Sequence, residues 1–313
     1  MAAFRRKNFL EESLLKTFNK REYSRYKEEL REFKQRERLN STPSFNIELL
    51  QSITRDFDSI SVSHSGNAGD IVYALSTLKK LSEILNKPIS LFLKLNQATA
   101  ISSHYKHPSG QVMLNQKMAQ MLIPLIQSQH YIKECNILSN EAIHIDLDSF
   151  RHSKMPLDRG DIARWCGYFL GINPSLHHSW ISVEPNSQFR NSILLARSER
   201  YRNSLINYGF LNSYPNVFFI GVESEFEDMR KTLPKLEWLK VESFLQLAEI
   251  IRGSKLFIGN QSLPFSIAEA TKSPRLLELY LNSPNVIPAG ENGYDFVYQK
   301  HLEWLVKELG DSN

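Results

Sequence analysis

At 313 residues the chain exceeds the usual size of one domain and has room for two compact domains of about 100–150 residues each. Hydrophobic residues make up 42% and charged residues 23%, no apolar run approaches the ~20 residues of a bilayer-crossing helix, and Met1-Ala-Ala-Phe-Arg-Arg-Lys7 lacks the apolar core of a signal peptide, which predicts a cytoplasmic protein with no membrane span. Net charge is +4, but residues 1–40 alone hold twelve Lys/Arg against seven Asp/Glu, so the remainder is slightly acidic. Two cysteines, Cys135 and Cys166, are too few for a disulfide framework and form no metal-ligand pair, so they read as buried thiols.

Residues 8–39 contain neither Gly nor Pro and place Phe9, Leu10, Leu14, Leu15 and Phe18 at helical spacings. The pattern predicts one or two helices, ended by Ser41-Thr-Pro43, in a basic extension over residues 1–45. Its Lys/Arg surplus suits a polyanion such as DNA, while the interleaved acids suit a helix pair packed on the body or mediating oligomerisation. Both readings stand at this point.

From residue 46 short apolar runs alternate with helical patterns: strand 59–64, helix 70–86, strand 89–95, helix 113–128, strands near 131–138 and 143–147, and helix 160–170. This βαβ rhythm predicts an α/β domain over 46–185. Between its first strand and helix lies Ser63-His-Ser-Gly-Asn-Ala-Gly-Asp70. Gly66 and Gly69 permit positive φ or close backbone approach, and the following helix aims its free amides and positive dipole end into the crevice. Asp70 is either the cap of that helix or a site carboxylate. His64, Asn67 and the two glycines border the same crevice, and Tyr73 reads as core. The long polar segment 96–112 has the character of a functional loop, but its histidines, His104 and His107, have no neighbouring carboxylates and predict no metal site.

Residues 171–192 read as a connection, and a second α/β domain is expected over 186–313. Its strands fall at 193–196, 217–220, 238–241, 256–258 and 275–280, its helices at 225–233, 243–253 and 263–272, and Tyr294–Leu309 reads as a terminal amphipathic helix. The turn after strand 256–258 holds Gly259, Asn260, Gln261 and Ser262, and Pro264 suits the first turn of the next helix. Two such turns at the carboxyl ends of strands, one per domain, predict a ligand cleft between the domains.

Two stretches resemble a known family: Gly-Asp-Ile-Val-Tyr-Ala-Leu-Ser-Thr-Leu-Lys79 and Phe-Ile-Gly-Asn-Gln-Ser-Leu-Pro-Phe-Ser-Ile-Ala-Glu-Ala270. In them the chain resembles the GT-B glycosyltransferases, specifically the heptosyltransferase-like branch that includes the lipopolysaccharide ADP-heptose transferases. The likeness implies a GT-B type α/β fold, two Rossmann-like domains facing an interdomain cleft. It implies Asp70 as catalytic base and Asn260, Gln261 and Ser262 at the donor diphosphate. This chain has Asn260-Gln-Ser262 where family members often have Asp-Thr/Ser-Gly, and it adds the extension over 1–45, which the family lacks.

The expected activity is metal-independent, inverting transfer of a sugar from a nucleotide-diphosphate donor to an acceptor hydroxyl that Asp70 deprotonates. Arg197, Arg200 and Arg202, directly after strand 193–196, would neutralise the leaving diphosphate without a metal or other cofactor. Glu223 and Glu269 would contact a ribose or donor sugar, or serve as ordinary helix carboxylates. The resemblance points to a glycan acceptor. The basic extension admits a DNA glycosyltransferase acting on a hydroxymethylated base flipped into the cleft, and a non-catalytic nucleotide-sugar-binding protein is a further reading.

Overall fold

The computed structural model describes residues 4–40, 45–99, 110–152 and 157–311; His104, His107 and the terminator Ser41-Thr-Pro43 lie outside them. The first sheet comprises β1 (Ile60–His64), β2 (Ile89–Leu93), β3 (Ile132–Ile137) and β4 (Ile145–Asp146), in the order β3-β2-β1-β4. The second comprises β5 (Ile193–Ala196), β6 (Val217–Phe219), β7 (Glu237–Trp238), β8 (Leu256–Asn260), β9 (Arg275–Glu278) and β10 (Gly293–Phe296), in the order β10-β9-β8-β5-β6-β7. All pairings are parallel. Parallel strands are covered on both faces, so they read as apolar runs, and every residue of β2, β5 and β8 is buried. In each sheet the strand order reverses beside the domain's first strand, at β1/β4 and at β5/β8. These are the doubly wound switch points at whose carboxyl ends ligands bind.

The helices are α1 (Phe9–Phe18), α2 (Lys20–Asn40), α3 (Ile47–Thr54), α4 (Ala68–Leu85), α5 (Gln116–Gln127), α6 (Ile162–Leu170), α7 (Glu223–Arg230), α8 (Phe244–Gly253), α9 (Leu263–Thr271) and α10 (Gln299–Asp311). The chain is two Rossmann-like domains preceded by the α1/α2 hairpin. Helices α4 and α5 of the first domain pack on α9 and α8 of the second, and one apolar core runs through both, from Ile71 and Leu75 to Phe265 and Ile267. Trp180, in the connection, ties the contact together. Its indole N–H donates to the Val72 carbonyl of α4 at 2.8 Å and its backbone amide to the Ala270 carbonyl of α9 at 3.0 Å, while its own carbonyl accepts from the Tyr131 hydroxyl at 2.7 Å.

Two elements differ from the sequence expectation. The apolar positions of 294–309 belong to two structures: β10, where Phe296 is 1% exposed beside β9, and then α10. The one-residue alternation around Phe296 is a strand signal that the helical spacing of Leu302, Leu305 and Val306 masked. Helix α3, which buries Leu50 and Thr54, was not anticipated. Cys135 and Cys166 are free, buried thiols, as expected, and burial pushes each up to about 12.

Glu269 is neither a helix-surface group nor a cleft ligand. It is 2% exposed and pairs with Lys272 and with Arg275, which is wholly buried, and accepts from the Ala289 amide at 3.1 Å. Removing one partner of such a pair strands a buried charge. Glu269→Ala is expected to lower unfolding stability by about 3–5 kcal/mol in urea titration, whereas a surface change such as Glu242→Ala stays within about 0.5 kcal/mol.

Candidate active site

The turn between β1 and α4 brings its polar groups to the first switch point. Asp70 is the third residue of α4, and its Oδ2 accepts from the backbone amide and the Nδ2 of Asn67, both at 3.3 Å, and from Arg151 at 3.4 Å. Its side chain is 28% exposed to the cleft. Cap and cleft carboxylate are therefore one group, and among the described residues every hydrogen bond to Asp70 falls on Oδ2. Neither Gly66 nor Gly69 has positive φ; Gly66 serves close approach, whereas Gly69 has room for a methyl group. A methyl group on Gly66 would sit 2.8 Å from the Arg151 guanidinium, and one on Gly69 would sit 3.6 Å from Leu263 Cα across the interface.

Behind Asp70 lies an ionic network at the β1/β4 crevice, buried at His64 and Asp148 and partly exposed at Lys94 and Asp146. His64, 1% exposed, places Nδ1 3.0 Å from Asp148 Oδ1. Asp148 also pairs with Arg151, accepts the Ser65 amide at 3.1 Å and meets Lys94 at 2.7 Å, and Lys94 bridges to Asp146 at 2.7 Å. Burial opposes ionisation of Asp148, but the bonds from His64, Lys94 and Ser65 outweigh it and hold the carboxyl far below its usual range. Burial pushes the His64 imidazole down, against the pull of Asp148, so the ring is neutral near pH 7, with its Nδ1–H donating to the Asp148 carboxylate.

The opposite wall is the β5/β8 switch point, and there the structure redistributes the expected roles. Arg197 is bidentate on Glu278 at 2.7 and 2.8 Å, and Glu278 also accepts from the Tyr208 hydroxyl at 2.8 Å and the Asn203 amide at 2.6 Å. Arg202 pairs with Asp228 and donates to the Ser198 carbonyl at 3.0 Å. Both guanidinium groups are thus engaged within the protein. Arg200, stacked on the Tyr201 ring at 5.1 Å, has no acidic partner among the described residues. Asn260, fully buried, turns inward to hold the arginine loop: it accepts the Ser198 amide at 2.9 Å and donates to the Ser198 and Arg200 carbonyls at 3.0 and 2.7 Å. Those bonds sustain Tyr201 at φ +61°, a left-handed conformation costly for a bulky residue. Gly259 is buried in β8, where a methyl group would meet the Ala196 carbonyl at 2.9 Å. Gln261 donates to Ser283 O and Asn285 Oδ1, each at 2.7 Å. Ser262, the N-cap of α9, turns its hydroxyl back to the Asn260 carbonyl at 3.0 Å, and no side chain caps α9 among the described residues.

Between the walls lie two chambers. One, about 540 Å³, is bordered by the starts of α4 and α9, the arginine loop and an apolar recess of Ile220, Val222, Trp238, Val241, Phe244 and Leu247. The other, about 420 Å³, is bordered by His64, Phe150, Arg151, Trp165, Tyr280 and Thr99. They share Asn67, Asp70, Ile162, Arg200, Tyr201 and Asn285, so Asp70 stands at their junction. Of the four buried side-chain polar atoms without a partner among the described residues, three, Asn67 Oδ1, Tyr73 Oη and Gln261 Oε1, belong to residues on the first chamber's wall, and the fourth, Thr77 Oγ1, lies one turn further along α4. Orphaned groups gathered at one cavity mark a place where a polar ligand completes the bonding.

No family model matches this chain, and no curated protein matches it. Solved structures do. A glycosyl transferase family 9 protein from Veillonella parvula superposes with a TM-score of 0.52 at 12% identity, over 81% of this chain and 89% of that one. The E. coli heptosyltransferase WaaC, solved with ADP, gives 0.55 at 9% identity over 80% of this chain and 99% of its own. E. coli ADP-heptose lipopolysaccharide heptosyltransferase II gives 0.54 at 11% identity, over 80% and 98%. The chain shares their fold. At these identities the likeness is one of architecture, and it agrees with the two doubly wound sheets described above.

Glu223 is exposed at the start of α7 on the chamber wall, whereas Glu225, two residues on, turns inward to accept the Glu199 amide at 2.9 Å, and burial raises its pKa. Sequence reasoning missed Glu225, Trp238, Asp148 and Arg151. The acidic cluster after β6 was a signal for the first; Asp148 and Arg151 sit in a 3-10 turn, Leu147–His152, whose residues show no periodicity. The His64 shift makes a testable claim. The unfolded chain takes up a proton below about pH 6.5 that folded His64 resists, so stability should fall as pH drops through that value. Thermal melts between about pH 7 and 5 should show a shallower loss for His64→Gln than for the parent protein.

Proposed function

We propose that the chain is a glycosyltransferase that moves a sugar from a nucleoside-diphosphate donor to a glycan hydroxyl with inversion. The observation carrying this reading is the position of Asp70, at the junction of two chambers and opposite the uncapped start of α9. The larger chamber takes the donor. Its apolar recess, with the Lys240 ammonium 4.4 Å over the Trp238 ring, suits a nucleobase, and Glu225 lies on the same wall for the ribose. The open amides of α9 and the guanidinium of Arg200 receive the diphosphate. That E. coli WaaC is solved with ADP supports a nucleoside diphosphate as the leaving group.

The acceptor enters the smaller chamber, where the half-buried Tyr280 offers a face for a sugar ring beside Phe150 and Trp165. Asp70 takes the hydroxyl proton as the acceptor oxygen bonds to the anomeric carbon and the bond to the diphosphate oxygen breaks. Charge developing on the leaving group is met by the α9 amides and Arg200. Base and leaving-group site occupy opposite walls, so attack proceeds from the face opposite the departing diphosphate, which inverts the anomeric centre.

Asp70→Asn should reduce turnover by about a hundredfold or more while changing nucleoside-diphosphate affinity less than about threefold; assays on a donor panel, with isothermal titration, measure both. An Asp70→Asn protein of normal turnover refutes the assignment. Arg200→Ala should weaken diphosphate binding about tenfold without loss of melting temperature. Arg202→Ala, by contrast, should show its effect in stability, because its guanidinium holds the loop.

A further inference from the structure

Helices α1 and α2 fold back on each other, and most of their acids are engaged within the hairpin. Glu11 pairs with Arg5 at 2.7 Å, Glu12 with Lys27 at 2.9 Å and Glu37 with Arg6 at 3.6 Å, while Glu22 and Glu32 pair with arginines along α2. Tyr26 and Leu30 form the hairpin's buried centre, with Phe4 stacked on Tyr26 and Phe33. The outward half of α1 has a different character. At about 100° per residue, Phe9, Ser13, Thr17, Leu10, Leu14 and Phe18 follow one another across about half the helix circumference, with no charge among them. Phe9 is 85% exposed, Leu10 70%, Leu14 58% and Phe18 80%. Cations border this face at both ends: Arg5, Arg6 and Lys7 precede it, Lys16 lies on one edge with Glu11, paired with Arg5, on the other, and Lys20 and Arg21 follow it. Lys16, Lys20 and Arg21 form no ion pair among the described residues.

We propose that the α1/α2 hairpin docks the protein on an anionic lipid surface, with α1 lying in the interface plane. Phe9, Leu10, Leu14 and Phe18 enter the acyl boundary, and the flanking Lys and Arg side chains meet the headgroups. Charge selects this occupant. A parallel contact with a second copy would bring Lys16, Lys20 and Arg21 against their own equivalents, and an antiparallel one centred on Ser13 and Leu14 would bring the Lys20/Arg21 end against the Arg6/Lys7 end. Duplex DNA would engage the cations but leave four large apolar side chains in water. Among the described residues no helix is long and apolar enough to cross a membrane, so this is attachment at the surface.

Flotation of the full chain with phosphatidylcholine vesicles, and with vesicles that also contain phosphatidylglycerol, tests the proposal. The protein should bind the anionic vesicles at least about tenfold more tightly. The Phe9→Ser/Leu14→Ser/Phe18→Ser variant should lose about tenfold or more of that binding, with circular dichroism and melting temperature unchanged because these side chains are exposed. A Lys16→Gln/Lys20→Gln/Arg21→Gln variant should lose its preference for anionic vesicles. Equal binding to both compositions, or no binding, overturns the proposal. So does a dimer that the serine variant converts to monomer without any vesicle binding, or a duplex-DNA gel shift abolished by the glutamine variant in a protein that ignores vesicles.

Discussion

The starts of α4 and α9 meet across the domain interface, and the site depends on that contact. Each helix start carries about half a positive charge, so two such ends in proximity repel unless anions lie between them. Asp70 compensates the end of α4 from within the chain. Nothing among the described residues does the same for α9, whose N-cap serine points back to Asn260. The cleft therefore presents one compensated and one uncompensated helix end. That asymmetry separates a carboxylate side of the cleft from an open helix end, and Gly69 lies at the crossing, where a methyl group would make ordinary van der Waals contact with Leu263 Cα at 3.6 Å.

Holding this geometry takes buried charge, and the chain places it behind the cleft walls. On the first wall the His64, Asp148, Arg151 and Lys94 network orients the group that touches Asp70. On the second, the buried Arg197–Glu278 pair, the more exposed Arg202–Asp228 pair and the Asn260 amide brace the loop that presents Arg200. Buried pairs of this sort add little net stability, since desolvation offsets most of their attraction. Their effect here is positional: they keep Tyr201 in a left-handed conformation it would not adopt alone, at the junction of the two chambers.

The architecture was legible in the sequence because doubly covered parallel strands leave short continuous apolar runs and amphipathic helices a 3.6-residue period, and the alternation of the two runs from β1 to α9. Asp70 was legible because glycines and one carboxylate coincided at a strand-to-helix turn. The arginine loop was legible as a cationic cluster but not in its division of labour. The carboxylates that engage Arg197 and Arg202, Glu278 and Asp228, lie on distant elements and meet them only once the sheet has formed. The same holds for Asn260, which reads as a turn residue aimed at a ligand until the Ser198 and Arg200 carbonyls claim its amide. Local pattern reports which groups a turn contains; partners from elsewhere in the chain decide which of them stay available.

The shared core bears on how Asp70 is reached from outside. In many two-domain proteins the interface is modest and polar, and hinge motion is the default expectation. Here Ile71, Leu75, Phe265 and Ile267 lie in one continuous apolar cluster, and Trp180 hydrogen-bonds both α4 and α9. Parting the domains would expose that surface at about 25 cal/mol per Å² and break the Trp180 bonds. Access through the mouths of the two chambers avoids that cost. Ligands entering the two chambers then reach Asp70 from separate sides, and the loop carrying Arg200 and Tyr201 borders both chambers.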